Sequence, residues 1–403
     1  MQQPLHIREK PAPMNSNLWR LAAAQALFLT NNIVFIAING LVGLRLAPAG
    51  WMATLPVMGY VVGGALATGL VAASQRRWGR KLSFQLGLLV ALISVLVCAL
   101  AMVLGSFWLL VAGTVVAGYY SANGQLYRFA AGELAEPAFR EKAVSLVLAG
   151  GLAGAVLGPN LANHTRDLFP TPFLGAYLAL AGVALLSMGV MASIRFPAGP
   201  SKGGSGRGGR PLAEITRQPE FIVAAVGAAL SYGVMNLLMA ATPLAMDICG
   251  MPFSDAAFVL EWHVIGMFAP GFFTGSLIAR FGVLRVMGAG VVLNALCIGV
   301  ALSGQALHQF VVALFMLGVG WNFLFTGSTT LAMRAYRPEE KDKAQAAINF
   351  GVFTIMAISA FASGALVTTH GWSWLNLGST LPVGLLAAAL AWLAMVQRRR
   401  GAP

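Results

Sequence analysis

The sequence predicts an all-α polytopic membrane protein with twelve transmembrane helices in two six-helix halves. The chain of 403 residues is 58% hydrophobic and only 10% charged, and its mean hydropathy is +0.76. Soluble domains carry charge on about a quarter of their residues. Apolar runs of membrane-spanning length recur from end to end, which a chain of two or three soluble domains would not show.

The apolar runs define the twelve spans and the division between the halves. The spans lie at roughly 19–45, 50–74, 83–104, 107–128, 142–163, 173–194, 219–246, 253–280, 283–303, 308–333, 345–368 and 374–396. The segment after span six is rich in Gly, Pro, Ser and Arg, which is typical of a flexible linker. The sequence therefore predicts an N-terminal half at 1–195, a cytoplasmic linker at 196–218 and a C-terminal half at 219–403.

The basic residues predict the orientation of the chain. If both termini lie on one side of the membrane, all but two of the 26 Lys and Arg residues lie on that side, and only Arg45 and Arg166 lie opposite. Cytoplasmic loops are enriched in Lys and Arg. We therefore expect a multi-pass protein of a bacterial-type inner membrane with both termini cytoplasmic. The net charge of +13 then reflects topology, and no nucleic-acid partner is expected.

The two halves repeat a short loop pattern. RRWGRK at 76–81 follows span two, and ARFGVLR at 279–285 follows span eight. Their Arg-Trp-Gly and Arg-Phe-Gly tripeptides lie 203 positions apart (77 to 280), and Arg128 and Arg334, after spans four and ten, lie 206 apart. Similar offsets at two loops predict a duplicated six-helix unit.

With these features the chain resembles the major facilitator superfamily over essentially its whole length. The loop after span two in that family contains a Gly, an Asp, an Arg, a Gly and basic residues. This chain keeps Arg77, Gly79, Arg80 and Lys81, while Arg76 occupies the Asp position. The resemblance implies two halves that rock about a site near the bilayer midplane, with spans one, four, seven and ten lining the cavity.

Two four-residue spacings on consecutive spans indicate a candidate site. Met235 and Met239 lie on span seven, and His263 and Met267 lie on span eight. Residues four apart share one face of a helix, and the two antiparallel spans place the pairs at a similar depth. Thioether sulfur and imidazole nitrogen suit copper, and sulfur especially suits Cu(I). A metal site is one interpretation of this pattern.

Plainer interpretations of the same residues stay open. In an apolar chain with 17 Met residues, a Met pair at helical spacing can serve packing alone. An ionisable group within a span is rare and usually functional. His263 could nevertheless hydrogen-bond across helices or transfer protons as readily as it could bind a metal.

The motif pair carries a second, narrower resemblance. MNLLM on span seven followed by HVIGM on span eight is similar to the signature of the CcoA-like copper importers, the CalT group, in which these Met and His residues are the proposed copper ligands. The resemblance implies that Met235, Met239, His263 and Met267 bind copper as the transported substrate, with no resident cofactor. The same group includes riboflavin importers, so riboflavin is an alternative substrate.

Further residues near these spans are candidates for supporting roles. Met246, Cys249 and Met251 form a candidate relay or mouth on the outer side, with a plain loop as the alternative. The end of span one, LRLAPAGW, offers no cysteine partner for Cys249. Glu261 points away from His263 on a helix, so it is a candidate for coupling rather than ligation. A protonated or interfacial carboxyl is the alternative.

Other features have simpler expected roles. The glycine-rich segment 148–162 of span five predicts close helix packing. Arg128 and Arg334 are expected to anchor helix ends. Polar and aromatic residues on the cavity spans could line the path or bind an organic solute; they are Asn31, Asn32, Tyr119, Tyr120, Asn123, Gln125, Trp321 and Asn322.

The main prediction is a secondary-active copper importer rather than an enzyme. The sequence contains no GxxxxGK[ST], CxxC or HExxH motif, so ATP-driven pumping and zinc hydrolase chemistry have no support. The expected partners are the copper ion, the lipid bilayer and, as a candidate, a cytoplasmic copper acceptor. An importer of riboflavin or another small organic solute is the alternative. A non-transporting membrane sensor or assembly factor is a third hypothesis.

Overall fold

The computed structural model describes residues 16–136, 140–196 and 209–401. These ranges are almost entirely helical, with two short 3-10 turns at Gly50–Met52 and Pro338–Glu340. In chain order the α-helices are α1 (Ser16–Leu46), α2 (Leu55–Leu104), α3 (Phe107–Gly124), α4 (Tyr127–Leu134), α5 (Arg140–Thr165), α6 (Leu174–Ser193), α7 (Leu212–Ile215), α8 (Pro219–Ile248), α9 (Phe253–Phe268), α10 (Gly271–Phe281), α11 (Val283–Leu302), α12 (Leu307–Ala335), α13 (Lys341–Thr369) and α14 (Gly371–Gly401).

Each predicted span coincides with one helix, a part of α2, or a broken pair of helices. α2 contains spans two and three, and Gly79 near its middle has a φ of 77° that interrupts the helix. Span four comprises α3 and α4. Span eight comprises α9 and α10, which are bent by 42° relative to each other. The predicted all-α fold class is confirmed.

Hydropathy identifies most of these spans directly. In the described chain, eight helices are long and apolar enough to cross a membrane, and the bent pair α9–α10 makes a ninth. One of the eight is the stretch Gly50–Leu104, whose 55 residues include both spans that Gly79 separates. α3 lies outside the count because its last turns contain Tyr, Ser and Asn, which lower its hydropathy.

The two halves repeat the same arrangement of helices. α1 packs most extensively on α5, as α8 does on α13, and α2 packs on α3 as α11 does on α12. Gly79 and Gly282, in the two equivalent loops, both have positive φ angles, 77° and 89°. Glycine adopts this conformation without steric cost. The duplicated unit predicted from the loop spacing is present in the structure.

The glycine-rich segment of α5 brings that helix against α1. A Cβ atom at Gly150 would lie 2.4 Å from the carbonyl oxygen of Ala22, and one at Gly154 would lie 2.7 Å from that of Ala26. Both distances are shorter than real Cβ atoms show, so this approach of two backbones requires glycine. The predicted packing role of the segment is confirmed.

The two halves are fastened to each other at one end of the bundle. We term the end at which α1 begins and α14 ends the terminal face, and the opposite end the far face. Within the described ranges, three hydrogen bonds join the halves, and all three lie toward the far face. Thr54 Oγ1 donates to the carbonyl of Phe361 (3.4 Å), the N–H of Gly364 donates to Thr54 Oγ1 (3.0 Å), and Asn160 Nδ2 donates to Glu261 Oε2 (2.9 Å).

Rings and guanidiniums reinforce this closure of the far face. Phe173 packs edge-on against Phe253 of the other half, with 5.4 Å between the ring centroids. Arg45 and Arg166 lie over the Phe173 ring at 5.2 and 5.1 Å, and Arg166 also lies 5.5 Å from the Phe253 centroid. Phe173 is the one described non-glycine residue with a positive φ, at 68°. Strained backbone of this kind persists only where the surroundings hold it in place.

In the first half, a charged pair joins a loop to a helix end at the terminal face. Arg80, in the loop that carries the family motif, pairs with Glu133 near the end of α4. A carboxylate therefore contacts this loop even though Arg76 occupies the position at which the family has Asp. The contact comes from another helix of the same half.

The predicted linker is partly described, and its described part is ordered. Residues 197–208 lie outside the described ranges. The residues after them form α7, and Ile215 is fully buried against residues of the C-terminal half. Arg210 holds the segment to the end of α12 by donating to the carbonyl of Ala335 at 3.0 Å. This part of the segment therefore belongs to the C-terminal half rather than to a free tether.

Glu340 is the acidic partner of Arg210. Its fully buried carboxylate accepts hydrogen bonds from Arg210 Nε (3.0 Å) and Nη2 (2.8 Å) and from the N–H of Arg337 (2.9 Å). The hydrogen bonds from Arg210 hold the pKa of the Glu340 carboxyl well below its usual range. The stabilisation is therefore complete above the ordinary glutamate pKa of about 4.3, and it is lost as the pH falls from there toward the depressed value.

We expect Glu340→Gln to lower the Tm of the purified protein by several degrees at pH 7, because the amide NH2 group would face the Arg210 donors. The difference in Tm between variant and wild type should persist down to about pH 4.3 and shrink below it, because the Glu340 carboxyl then takes up a proton in the unfolded chain while it stays ionised in the folded protein. Thermal unfolding in detergent over this pH range measures both effects. Glu339→Gln, at the exposed neighbouring position, is the control, and an equal loss of Tm in both variants would contradict the assignment.

Candidate functional site

α8 carries its candidate side chains on one stripe. Tyr232, Met235, Met239 and Met246 follow one another at steps of three, four and seven residues, which return to the same face of an α-helix. Met235 and Met239 are each 5% exposed, and Met246 is fully buried. The stripe therefore faces the interior of the bundle along most of the length of α8.

Three of the four predicted copper ligands lie in one apolar cluster. Met235 and Met239 of α8 and Met267 of α9 belong to a contiguous cluster that also contains Trp321 of α12 and many side chains of the N-terminal half. The cluster thus spans the boundary between the halves. The fold therefore places three thioethers in this one cluster, which we term the central cluster.

The fourth predicted ligand, His263, is bound to a neighbouring helix. Its imidazole is fully buried, and Nδ1 lies 2.7 Å from the backbone carbonyl of Leu314 on α12. A carbonyl can only accept, so Nδ1 carries the proton and Nε2 presents a lone pair. Nε2 has no hydrogen-bond partner in the described chain. A ring fixed through Nδ1 with a free Nε2 has the tautomer that metal-ligating histidines use.

The predicted copper site stays a prediction at this point. Within the described ranges, no group of three or more His, Cys, Asp or Glu side chains converges in a way that could hold a metal ion. A metal at this place would therefore depend on the three thioethers together with His263. Such a ligand set suits Cu(I) and few other biological metals.

The residues predicted to form a relay or mouth divide between two environments. Met246 is buried in an apolar cluster, and Met251 packs against the same cluster and lines a crevice with Arg45 and Arg166. Cys249 is exposed, and its thiol donates to Gln305 Oε1 at 2.9 Å. Partial burial raises the pKa of the Cys249 thiol. The thiolate that binds metal is therefore less populated than in a free cysteine, and the relay stays a prediction.

Glu261 and His263 point to different neighbours, as the sequence predicts. The carboxylate of Glu261 accepts from Asn160 on α5, in the other half of the molecule, whereas His263 contacts α12. Glu261 is therefore part of the contact that fastens the two halves rather than a co-ligand of His263. Its predicted coupling role stays a prediction.

Four aromatic rings from three helices form a cluster next to the methionines. Trp321 and Phe325 stack almost in parallel, with 5.2 Å between centroids and 7° between planes. Tyr232 lies edge-on to both, at 5.1 and 5.0 Å, and Phe268 lies 6.3 Å from Trp321. Sequence analysis selected only Trp321 from this set. The four-residue step from Trp321 to Phe325 and the place of Tyr232 on the methionine stripe are the signals that could have found two of the others.

Trp321 also brings an unpaired donor to this cluster. Its side chain is 5% exposed, and its indole Nε1–H has no acceptor in the described chain. An unsatisfied buried donor costs about 1–3 kcal/mol. Such a group is retained where water or a ligand supplies the missing acceptor.

Arg128, in the other half, lies beside the same apolar cluster. It is near the start of α4, and its chain neighbour Tyr127 belongs to the cluster that contains Trp321. Its guanidinium lies 4.9 Å from the Phe129 ring, and its Nε is buried without a partner. Among the described residues no carboxylate pairs with it. The prediction that Arg128 anchors a helix end therefore leaves part of its hydrogen-bonding capacity unexplained.

Apart from Gln125, which is exposed, the other polar residues predicted on the cavity spans fall into two groups. Asn31, Asn32 and Tyr120 each keep an unpartnered buried polar atom, as a cavity wall would. Tyr119, Asn123 and Asn322 are instead engaged in packing between helices of one half. Asn322 accepts from Thr274 and donates to the carbonyl of Met267, so it ties together the two sides of the break between α9 and α10.

Comparison with known proteins identifies relatives along the whole chain. The sequence profile of the Major Facilitator Superfamily matches residues 20–269 and 224–403. Riboflavin transporter RfnT of Brucella anthropi is 38% identical over 362 residues, which cover 89% of this chain and 91% of that protein. The crystal structure of a mutant of nucleoside transporter NupG covers 94% of this chain and 99% of its own, with a TM-score of 0.72 and 11% identity. A structure described as a bacterial metal transporter covers the same shares with a TM-score of 0.67 and 14% identity, and both likenesses show the fold alone.

We expect Asn160→Cys combined with Glu261→Cys to be joined by a short bifunctional thiol reagent, because the two native side chains touch across the halves. Cys249, which is exposed, is replaced by Ser in this experiment. Joining of the halves is measured by gel mobility after proteolytic cleavage between them. The matched control pairs Asn160→Cys with Trp262→Cys, whose side chain is 40% exposed on another face of α9. Equal cross-linking of both pairs would contradict the described far-face contact.

Proposed function

Because the chain belongs to the Major Facilitator Superfamily, we propose that it is a secondary transporter that imports riboflavin, or a solute with the same flat ring system, across a bacterial-type inner membrane. The observation that carries the proposal is the 38% identity to a riboflavin transporter over 89% of the chain. The identity extends over both halves, so it includes the helices that form the central cluster. Riboflavin was the alternative substrate in the sequence analysis, and it has better support than copper.

The far-face contacts suggest how transport proceeds. The halves are joined by hydrogen bonds and ring contacts toward the far face, and none of these joins them nearer the terminal face within the described ranges. If the terminal face is cytoplasmic, as the Lys and Arg distribution predicts, this conformation releases solute into the cell. Loading from outside requires these contacts to break, at about 1 kcal/mol for each hydrogen bond. A difference of a few kcal/mol lets substrate binding shift the balance between the two states.

Glu261 is a candidate for coupling this movement to protons. Its carboxyl group accepts a hydrogen bond from Asn160 of the other half. A carboxylate accepts such a bond more strongly than a neutral carboxyl group, so protonation would weaken the contact. A proton taken up from outside would thereby favour opening of the far face, which is the order of events an importer needs.

We expect proteoliposomes that contain the purified protein to accumulate labelled riboflavin with saturable kinetics, and excess unlabelled riboflavin to suppress the uptake. The protein should also rescue growth of a riboflavin auxotroph at low external riboflavin. The cross-linked Asn160→Cys, Glu261→Cys protein is the matched control, since it keeps the fold but holds the far face closed. Uptake no greater than that of the cross-linked protein would contradict the proposal.

Copper import is a second candidate, and one observation favours it. His263 keeps its Nε2 lone pair free and buried, and Met235, Met239 and Met267 share one cluster between the halves. On this hypothesis copper is the transported substrate. It would pass the mouth at Cys249 and Met251, move by Met246 to the four ligands, and leave for a cytoplasmic copper acceptor. Thioether ligands bind weakly enough to release the ion.

We expect His263→Leu and Met235→Leu to reduce uptake of labelled copper by at least tenfold at equal expression if copper is the substrate. Each variant removes one ligand from a set that has few alternatives. Met287→Leu, at a fully buried methionine outside the central cluster, controls for loss of packing. Uptake that equals that of the control variant would exclude the four-ligand site.

A further inference from the structure

We propose that the aromatic cluster of Tyr232, Phe268, Trp321 and Phe325, together with Arg128, binds the ring system of the flavin. The rings pack against the flat face of the substrate, and Trp321 and Arg128 donate to its carbonyl-bearing edge. This inference rests on the proposed function and assigns the substrate-contacting residues within it. The proposed flavin site differs from the methionine and histidine site in two respects. Its residue on α8, Tyr232, precedes Met235 and Met239 along the helix, and its side chains are aromatic rings and N–H donors rather than metal ligands.

The arrangement of the rings supports a stacking surface. Trp321 and Phe325 present two nearly parallel rings, and Tyr232 closes one side of them edge-on. Tyr232, Phe268 and Phe325 are each partly exposed, so the cluster is accessible at its margins rather than sealed in a core. Flat heteroaromatic solutes stack on such rings with offset or edge geometry. A cluster of this type at the boundary of the halves is reached by a solute that enters between them.

The polar atoms around the rings determine which hydrogen-bonding groups the edge of the substrate must carry. Trp321 Nε1–H and Arg128 Nε–H are both buried and without partners, and both groups donate only. The matching ligand edge must therefore consist of acceptors. A pyrimidinedione edge meets this requirement through its two carbonyl oxygens, which accept on either side of an N–H group, and an edge of amino groups does not.

The charge of Arg128 argues for the same class of ligand. Arg128 follows Tyr127, which shares an apolar cluster with Trp321 of the opposite half, and no carboxylate among the described residues pairs with its guanidinium. A positive charge at this wall attracts electron-rich carbonyl oxygens and repels a bare metal cation. Because Arg128 lies in one half and the rings lie in the other, a bound flavin would contact both halves. Riboflavin binding could then favour movement of the two halves toward each other at the level of Arg128 and the rings.

Quenching of riboflavin fluorescence by the purified wild-type protein measures binding and tests the proposal. We expect Trp321→Phe, which keeps the ring and removes the N–H, to weaken riboflavin binding about tenfold, the factor expected for one lost hydrogen bond. Arg128→Gln should have an effect of similar size. Lumichrome, which keeps the dione edge and lacks the ribityl chain, should compete with riboflavin. Phenazine, a flat tricyclic ring without carbonyl groups, should not.

The controls separate a binding role from a packing role. Trp262→Phe changes the same type of side chain at a position that is 40% exposed on α9, and it should leave both the affinity and the Tm unchanged. Trp321→Phe should lower the affinity with no loss of Tm. If wild type binds and transports riboflavin while both site variants keep full affinity, the site assignment is wrong and the proposed function stands. If the wild type binds no riboflavin, the function and the site assignment both fall.

Discussion

The joint between the halves at the far face is the contact on which the rest of this structure depends. Two guanidiniums lie over the Phe173 ring, which packs against Phe253 of the other half, and the Phe173 backbone is itself strained. Arg45 and Arg166 are the two basic residues that the predicted topology places on that side. Because these contacts lie at one end, the halves can separate at the other end without breaking them. A carrier needs such a contact to be firm in one state and breakable in the next.

Two sets of side chains with different chemistry, aromatic rings and thioethers, lie next to each other along α8. Tyr232 and its ring partners come first from the terminal face, and Met235 and Met239 follow on the same stripe. The riboflavin and copper hypotheses therefore concern adjacent parts of one surface. The free donors and the positive charge of Arg128 favour an acceptor-rich organic ring over a cation. Thioethers also pack well against flat rings, so the methionines are compatible with a flavin substrate.

Much of the fold was predictable from the sequence, because membrane spans are long apolar runs and the basic loops mark their ends. Gly79 and Gly282 also revealed the duplication in advance through the spacing of their loops. Much of the site was not predictable, since it depends on contacts between distant helices. The hydrogen bond between His263 and Leu314 forms where α9 and α12 approach closely at Gly318. The neighbouring helix leaves no space for a Cβ atom at that position. Spacing along the chain does not reveal such a pairing, and the same holds for the contact cluster that joins Tyr127, beside Arg128, to Trp321 of the other half.

The distances between the halves, in the presence and absence of riboflavin, test the central claim most directly. Spin labels at Leu168 and His308 report the far face, and labels at Trp78 and Phe281 report the terminal face; all four positions are exposed, and Cys249 is replaced by Ser. Pulsed electron paramagnetic resonance of the reconstituted protein gives both distance distributions. We predict that riboflavin lengthens the far-face distance and shortens the terminal-face distance. Unchanged distances at both faces, or a change in the same direction at both, would contradict a riboflavin carrier that opens and closes about the far-face joint.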